Sequence, residues 1–145
     1  MVPLQIFKNT KRSVCTMSTD KKVISTTEAP SAIGPYSQGI AATGTAVFVS
    51  GQLPVDPATG NIAGSSIEEQ ARQSLSNVKS VLAAAGAGLE NVVKTTVFLA
   101  DMNDFAAMNA VYSEFFKENC PARSAVQVAR LPKDAKIEIE AIAFI

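Results

Sequence analysis

The spacing of apolar residues predicts two helices in this chain. Across residues 67–85, apolar side chains recur every three or four positions, which is typical of a helix with one buried face. Ser66 and Glu69 have the spacing of a capping box at the start of this helix, and a glycine follows its end. A second helix is predicted over residues 103–118, with Asp101 as its cap. Its inward face consists of Phe105, Met108, Tyr112 and Phe115.

Shorter apolar or alternating stretches predict six strands. These strands cover residues 21–26, 37–42, 46–51, 91–100, 124–129 and 136–144. The second and third strands are expected to form a hairpin across Thr43–Gly44–Thr45. The fourth strand is apolar on both faces and is expected at the centre of the sheet. This order of elements predicts an α+β fold in which both helices pack on one face of the sheet.

The last predicted strand has two unlike faces. One face is apolar throughout, whereas the opposite face carries Glu138 and Glu140 at one end and Ile142 and Phe144 at the other. The polar end must be wet, which places it either at a cleft or on an ordinary solvated surface beside Lys136.

The composition restricts the chemistry. The 145 residues, 47% of them hydrophobic, suit one domain with a sizeable core. Lys+Arg and Asp+Glu both number 13, so the basic excess of most nucleic-acid-binding proteins is missing, and no apolar run approaches the ~20 residues of a membrane helix. The chain lacks histidine, which excludes most zinc, iron and copper sites and every Ser–His or Cys–His nucleophile pair. Acid–base chemistry therefore falls to Glu, Asp, Lys or Tyr.

Arg123 and a carboxylate of the last strand are the strongest candidates for a site. Arg123 follows a proline at the mouth of a predicted strand, and its guanidinium is a planar donor that fits a carboxylate. Glu138 and Glu140 lie on one face of the strand that returns afterwards, and a carboxylate there could steer a water. Together they indicate a site for a small acid that is hydrolysed. The alternative is a set of surface arginines and solvated carboxylates.

Three other residues break their local pattern. Asn109 falls on the buried side of the second helix, where its amide would bond either backbone or a ligand. Tyr36 ends a proline-containing loop and either reaches a pocket or leaves its polar tip in water. Gly51 ends an apolar strand and either admits a ligand close to the backbone or makes a simple turn.

The first residues differ in composition from the rest. Residues 1–19 contain Lys8, Lys11 and Arg12 and no acidic residue, which is similar to a mitochondrial presequence. The alternatives are a disordered, solvated tail, or an upstream extension with a second start at Met17. We therefore expect an N-terminal extension over residues 1–21, a single domain over 22–145, and a location in the mitochondrial matrix, the cytoplasm or both.

Five segments of the chain resemble the RidA (YjgF) family of reactive-intermediate deaminases. They are AIGPYSQ (32–38), VSGQLP (49–54), QARQSLSNVKSVL (70–82), VVKTTVFLADMNDF (92–105) and PARSAVQVARLPKDAKIEIEAIA (121–143). The resemblance implies a chorismate-mutase-like fold with a mixed sheet. It also implies a homotrimer in which three sheets form a central barrel with the helices outside, and in which three clefts lie between subunits.

The same resemblance implies an activity and residue roles. The family hydrolyses enamine/imine acids, 2-iminobutanoate and 2-iminopropanoate, to 2-oxo acids and ammonia without cofactor or metal. Arg123 would bind the substrate carboxylate, and Glu138 would position or activate water. The cleft would be lined by Tyr36, Ser50, Gly51, Asn109 and Ala125. Ala125 departs from the cysteine that is frequent in the family, which matters little if its contact is through the backbone carbonyl.

Two other classes of function stay open. A ribonuclease or translation inhibitor is one, although zero net charge and the lack of an aromatic–basic stripe disfavour it. A non-catalytic trimer that binds small acids or acts like a chaperone is the other, and the presence of Arg123 disfavours it. The expected partners are therefore small imino and oxo acids and further copies of the chain, with no nucleic acid and no membrane.

Overall fold

Two helices pack on one face of a four-stranded mixed sheet, and a separate two-stranded sheet precedes it. The computed structural model describes residues 20–145. The elements are β1 (Lys21–Ile24), β2 (Gly39–Ala42), β3 (Ala46–Gln52), α1 (Ile67–Ala84), β4 (Val92–Leu99), α2 (Phe105–Phe115), β5 (Ala122–Gln127) and β6 (Ile137–Phe144). The α+β prediction, with both helices on one face, is confirmed. The presequence hypothesis concerns residues 1–19, which lie outside the described residues.

The larger sheet has the strand order β3-β6-β4-β5. Strands β4 and β5 run parallel, whereas β6 is antiparallel to both β3 and β4. The prediction that β4 lies inside the sheet is therefore confirmed. On the helix side Val97 and Leu99 are fully buried, whereas Thr96 and Phe98 on the opposite side are only partly buried within one chain.

The predicted hairpin between β2 and β3 is wrong. Strand β2 pairs with β1 and β3 pairs with β6, so the two strands belong to different sheets. The backbone N–H of Thr43 donates to the carbonyl of Asp20, just before β1, and that of Thr45 donates to the carbonyl of Ile145, just after β6. Between them, Gly44 has a φ of 126°, a conformation that favours glycine and lets the chain turn from one sheet to the other.

The start of α1 follows the prediction. Ser66 Oγ accepts a hydrogen bond from the backbone N–H of Glu69 at 3.2 Å, and Glu69 Oε2 accepts one from the N–H of Ser66 at 3.0 Å. This reciprocal pair is the predicted capping box. The apolar face of α1 then packs against the sheet through Leu75, Val78 and Leu82, which are fully buried or nearly so.

Two other elements have different bounds from those predicted. Helix α2 spans residues 105–115 rather than 103–118, because Asp101 caps a separate turn at Met102–Asp104 and the backbone becomes extended at Phe116. Strand β5 begins two residues earlier than predicted, where Ala122 pairs with Lys94. Arg123 therefore lies inside a strand and has the fixed side-chain direction of a strand residue.

The two faces of the large sheet differ in exposure. The face toward the helices is buried through Val97, Leu99, Ile137 and Ile139. The opposite face, which we call the outer face, carries Phe48, whose exposed fraction is 74%. Within residues 20–145, we find no helix with both the length and the apolar character to span a membrane.

Candidate active site

Arg123 is held on the helix-side face of the sheet. In the parallel pair β4–β5 it lies beside Thr95, which is fully buried under the helices. Its Nη1 donates a hydrogen bond of 2.7 Å to Oδ1 of Asn109 on α2. Asn109 was predicted to bond either backbone or a ligand, but its side-chain oxygen bonds the arginine. One guanidinium nitrogen is thus fixed by a neutral amide.

Three aromatic rings surround the same guanidinium. The Cζ atom of Arg123 lies 4.7 Å from the ring centroid of Tyr112, 5.5 Å from that of Tyr36 and 5.6 Å from that of Phe105. A cation over an aromatic ring gains about 0.5–2 kcal/mol, with the larger values at desolvated sites. These four residues and Asn109 form what we call the arginine cluster.

Two members of the arginine cluster were predicted only as core residues. Helical periodicity assigned Phe105 and Tyr112 to the buried face of α2, and Tyr112 is indeed fully buried. Their spacing of four and three from Asn109 places all three side chains on one side of the helix. That shared side was the signal in the sequence that could have linked the two rings to the site.

Arg123 has no acidic partner in the described part of the chain. The ion pairs among residues 20–145 are Arg72–Glu114 and Arg130–Asp134, both on the exposed surface. Burial lowers the pKa of the half-buried Arg123 guanidinium, and the neighbouring Tyr112 and Tyr36 oppose this shift. Since a partly desolvated cation without a carboxylate is unfavourable, the arginine cluster is suited to accept an anion.

Glu138 lies on the outer face beside Phe98 of β4. Strand β3 has an irregular register between Val49 and Gln52, and the two residues of this bulge are Ser50 and Gly51. A side-chain carbon at Gly51 would overlap the Oε1 atom of Glu138. The glycine therefore leaves the space that the carboxylate occupies, and we call Ser50, Gly51 and Glu138 the glutamate cluster.

A single chain does not bring the two clusters together. Arg123 is in register with Thr95 and Glu138 with Phe98, three residues apart on β4. Side chains of a strand alternate between faces, so an odd spacing places the two residues on opposite faces of the sheet. The expectation that Arg123 and Glu138 face one cleft is therefore not met within one chain. Ala125 lies on the face of Arg123, beside Val97.

The residues of both clusters include few metal-binding side chains. Within residues 20–145, no group of three or more His, Cys, Asp or Glu side chains is gathered as a metal site.

Buried Tyr112 has a raised hydroxyl pKa, mainly through desolvation, although its hydrogen bond with Thr95 opposes the rise. Its hydroxyl is therefore a structural hydrogen-bonding group rather than a proton donor at neutral pH.

Comparison with known proteins gives matches over nearly all of the described residues. The model of the family described as Endoribonuclease L-PSP matches residues 26–145. A Salmonella typhimurium protein named 2-iminobutanoate/2-iminopropanoate deaminase is 58% identical over 125 residues, which cover 84% of this chain and 96% of that protein. A human protein of the same name is 51% identical over 123 residues, covering 85% and 89% of the two chains.

Solved structures show the same similarity. The crystal structure of Escherichia coli TdcF with bound serine has a TM-score of 0.67 and 54% sequence identity to this chain. The match covers 86% of this chain and 98% of that one. The mixed sheet with two helices on one face is therefore shared with structures of close sequence.

Proposed function

Because the chain belongs to the RidA (YjgF) family, we propose that it is a hydrolytic deaminase of reactive enamine/imine acids. The proposed substrates are 2-iminobutanoate and 2-iminopropanoate, and the products are the 2-oxo acids and ammonia. The observation that carries the proposal is the arginine cluster, in which a half-buried guanidinium has an amide and three rings around it but no carboxylate. The names of the Salmonella and human relatives support the same activity.

Arg123 would bind the substrate carboxylate. Asn109 occupies one donor of Nη1, which leaves donors on the other guanidinium nitrogens for a bidentate pair. The Tyr36 ring lies against the same guanidinium, and Gly34 is close enough that a methyl group added to it would lie 3.8 Å from Nη2. A short 2-imino acid held in this way would present its imine carbon at a fixed distance from the arginine.

Glu138 would act on water. The imine carbon is already electrophilic, so one oriented water and one acid–base group suffice for a useful acceleration. With the substrate in its iminium form, the carboxylate takes a proton from water as the water oxygen adds to the imine carbon, and a neutral tetrahedral amino alcohol forms. The carboxylic acid then returns that proton to the amine nitrogen and the C–N bond breaks. As ammonia leaves, the carboxylate takes the hydroxyl proton, the C=O bond of the 2-oxo acid forms, and the proton passes to the released ammonia. Water is the only co-reactant, and no cofactor or metal enters the step.

The two clusters would meet between copies of the chain. They lie on opposite faces of one sheet, so if both act on one substrate, the arginine cluster of one copy would face the glutamate cluster of another. The outer face also carries apolar side chains that one copy leaves open, among them Phe48 and Val126. We propose that three outer faces form the central barrel of a homotrimer, with Tyr36, Asn109, Arg123 and Ala125 from one copy and Ser50, Gly51 and Glu138 from the next.

A charged side chain at position 48 should break this assembly. Phe48→Asp would place a carboxylate on the outer face, where burial of an unpaired charge is unfavourable by several kcal/mol. We expect the wild-type protein to sediment as three copies of the 15.2 kDa chain, and the variant as one copy without deaminase activity. Val81→Asp, at an exposed apolar residue of α1, is the matched control and should remain trimeric. A wild-type monomer in analytical ultracentrifugation would contradict the proposed assembly.

Gly51 should be required for the position of Glu138. In Gly51→Ala, the new methyl group would overlap the Glu138 carboxylate and displace it, so turnover should fall about tenfold or more, as for a misplaced acid–base group. Gly39→Ala is a suitable control, because its methyl group would make only ordinary contacts with Ile24 at 3.5 Å or more. Steady-state turnover rates of both variants test this prediction. An equal loss of turnover in both would instead show a general effect of alanine in a strand.

A ribonuclease is the second candidate, because the matching family model is described as an endoribonuclease. The chain has zero net charge and no histidine, so neither a strong electrostatic attraction to RNA nor histidine acid–base chemistry supports that activity. Incubation of the purified protein with single-stranded RNA gives the direct comparison, and cleavage abolished by Glu138→Gln would favour this candidate.

The deaminase activity is tested by coupling the protein to a threonine dehydratase. The dehydratase releases the enamine/imine intermediate, which also hydrolyses without assistance. We expect the protein to shorten the lifetime of the intermediate in proportion to its concentration, and 2-oxobutanoate to appear correspondingly earlier. If the lifetime does not change while 2-oxobutanoate still binds, the chain is a non-catalytic acid-binding protein.

A further inference from the structure

The guanidinium of Arg123 lies against the ring of Tyr112, a fully buried residue of α2. At 4.7 Å from Cζ, this ring is the nearest of the three. The Tyr112 hydroxyl is 2.7 Å from Oγ1 of Thr95, and this hydrogen bond is buried. Thr95 is in turn the residue beside Arg123 on the neighbouring strand. Tyr112 of α2 thus contacts both Arg123 of β5 and Thr95 of β4, which are neighbours in the sheet.

An aromatic ring supports a buried cation differently from a carboxylate. A carboxylate would neutralise the guanidinium and occupy its N–H donors, which would leave little for a ligand. A ring contacts the face of the guanidinium through its quadrupole, while the donors point outward in the guanidinium plane. Tyr112 can therefore offset part of the desolvation of Arg123 without competing for the substrate.

We propose that Tyr112 is a positioning residue for substrate binding. Its ring holds the Arg123 guanidinium in the orientation that presents free donors to a carboxylate. This inference rests on the proposed function, because it concerns the same carboxylate. It adds a residue that never touches the substrate and that acts through the arginine.

A purely structural role for Tyr112 makes a different prediction. The ring also packs on Phe116, with centroids 4.7 Å apart, so its removal will lower stability whatever else it does. A structural residue would change the melting temperature but leave the affinity of the folded protein for 2-oxobutanoate unchanged. A positioning residue would change that affinity according to the electrostatics of the ring.

The first test compares leucine and phenylalanine at this position. Tyr112→Phe keeps the ring and loses only the hydroxyl, so its Kd for 2-oxobutanoate should stay within about threefold of wild type. Tyr112→Leu keeps apolar bulk but loses the ring, and its Kd and KM should rise about tenfold or more, with a smaller change in kcat. Leu82→Ala, at a buried residue of α1 outside the arginine cluster, is the control and should melt earlier with an unchanged Kd.

The second test remains informative if Tyr112→Leu does not fold. Phenylalanine, 4-fluoro-, 3,5-difluoro- and 3,4,5-trifluorophenylalanine are incorporated at position 112, which weakens the quadrupole stepwise at nearly constant shape. We expect the Kd for 2-oxobutanoate, measured by calorimetry, to rise with each fluorine, by about tenfold over the series. The melting temperature should not follow the same trend.

The outcomes separate this inference from the proposed function. A stepwise rise in Kd supports Tyr112 as a positioning residue. A flat series in a protein that binds 2-oxobutanoate and hydrolyses the imine overturns this inference and leaves the proposed function intact. A wild-type protein that neither binds 2-oxobutanoate nor accelerates imine hydrolysis overturns both.

Discussion

Arg123→Ala is expected to abolish both imine hydrolysis and measurable binding of 2-oxobutanoate. The variant removes the guanidinium that would bind the substrate carboxylate, and loss of one partner of a buried charge pair typically costs about 2–5 kcal/mol, or roughly 30-fold or more in Kd. Arg123→Lys should also lose most activity, because an ammonium group is a point charge that lacks the planar fork. Calorimetric titration with 2-oxobutanoate, beside the coupled deaminase assay, measures both effects.

Arg72→Ala is the matched control for the loss of positive charge. Arg72 is on the exposed surface of α1, where it pairs with Glu114 at 2.8 Å, and exposed pairs of this kind contribute little to stability. This variant should bind 2-oxobutanoate and turn over like the wild type. If Arg123→Ala binds the oxo acid as well as Arg72→Ala does, Arg123 does not bind the carboxylate.

Glu138→Gln is expected to lower the turnover rate strongly while still binding 2-oxobutanoate. Glutamine has nearly the size of glutamate but cannot accept the proton of the attacking water, so the rate should fall by roughly 10²-fold or more. The affinity for 2-oxobutanoate should change little, because the proposed contact of Arg123 with the carboxylate would be kept. Single-turnover rates and calorimetry on the same preparation separate the two effects.

Glu140→Gln provides the comparison on the same strand. It removes the same charge from the next position on the outer face, where Glu140 lies beside Thr96 and is exposed in one chain. It should retain a rate close to that of the wild type. A wild-type rate for Glu138→Gln would remove Glu138 from the proposed chemistry, and equal losses in both variants would indicate a general electrostatic effect.

The local features of the fold were predictable from the sequence. The capping box of α1 depends on residues three positions apart, and the central position of β4 follows from apolar side chains on both faces. Strand pairing was less accessible, because β3 pairs with β6 almost a hundred residues later rather than with its neighbour in sequence. A turn signal such as Thr43–Gly44–Thr45 shows that the chain turns but not which strand it will join.

The candidate site was also predictable from the sequence only in part. The resemblance to the RidA family indicated Tyr36, Asn109 and Arg123, and the structure places them in contact. The sequence did not show that Arg123 and Glu138 lie on opposite faces of the sheet, because this depends on the register of β5 and β6 against β4. A shift of one residue in either register would place both side chains on one face. That register makes a site between copies necessary if both residues act on one substrate.

Mixing two inactive variants tests this central claim most directly. Arg123→Ala and Glu138→Gln are unfolded together, refolded as mixed trimers and assayed, with each variant refolded alone as a control. In a random one-to-one mixture, about a quarter of the clefts should join an intact Arg123 of one copy to an intact Glu138 of the next, so about a quarter of wild-type activity should return. Mixed trimers that regain no activity above the separate variants would contradict a site shared between copies.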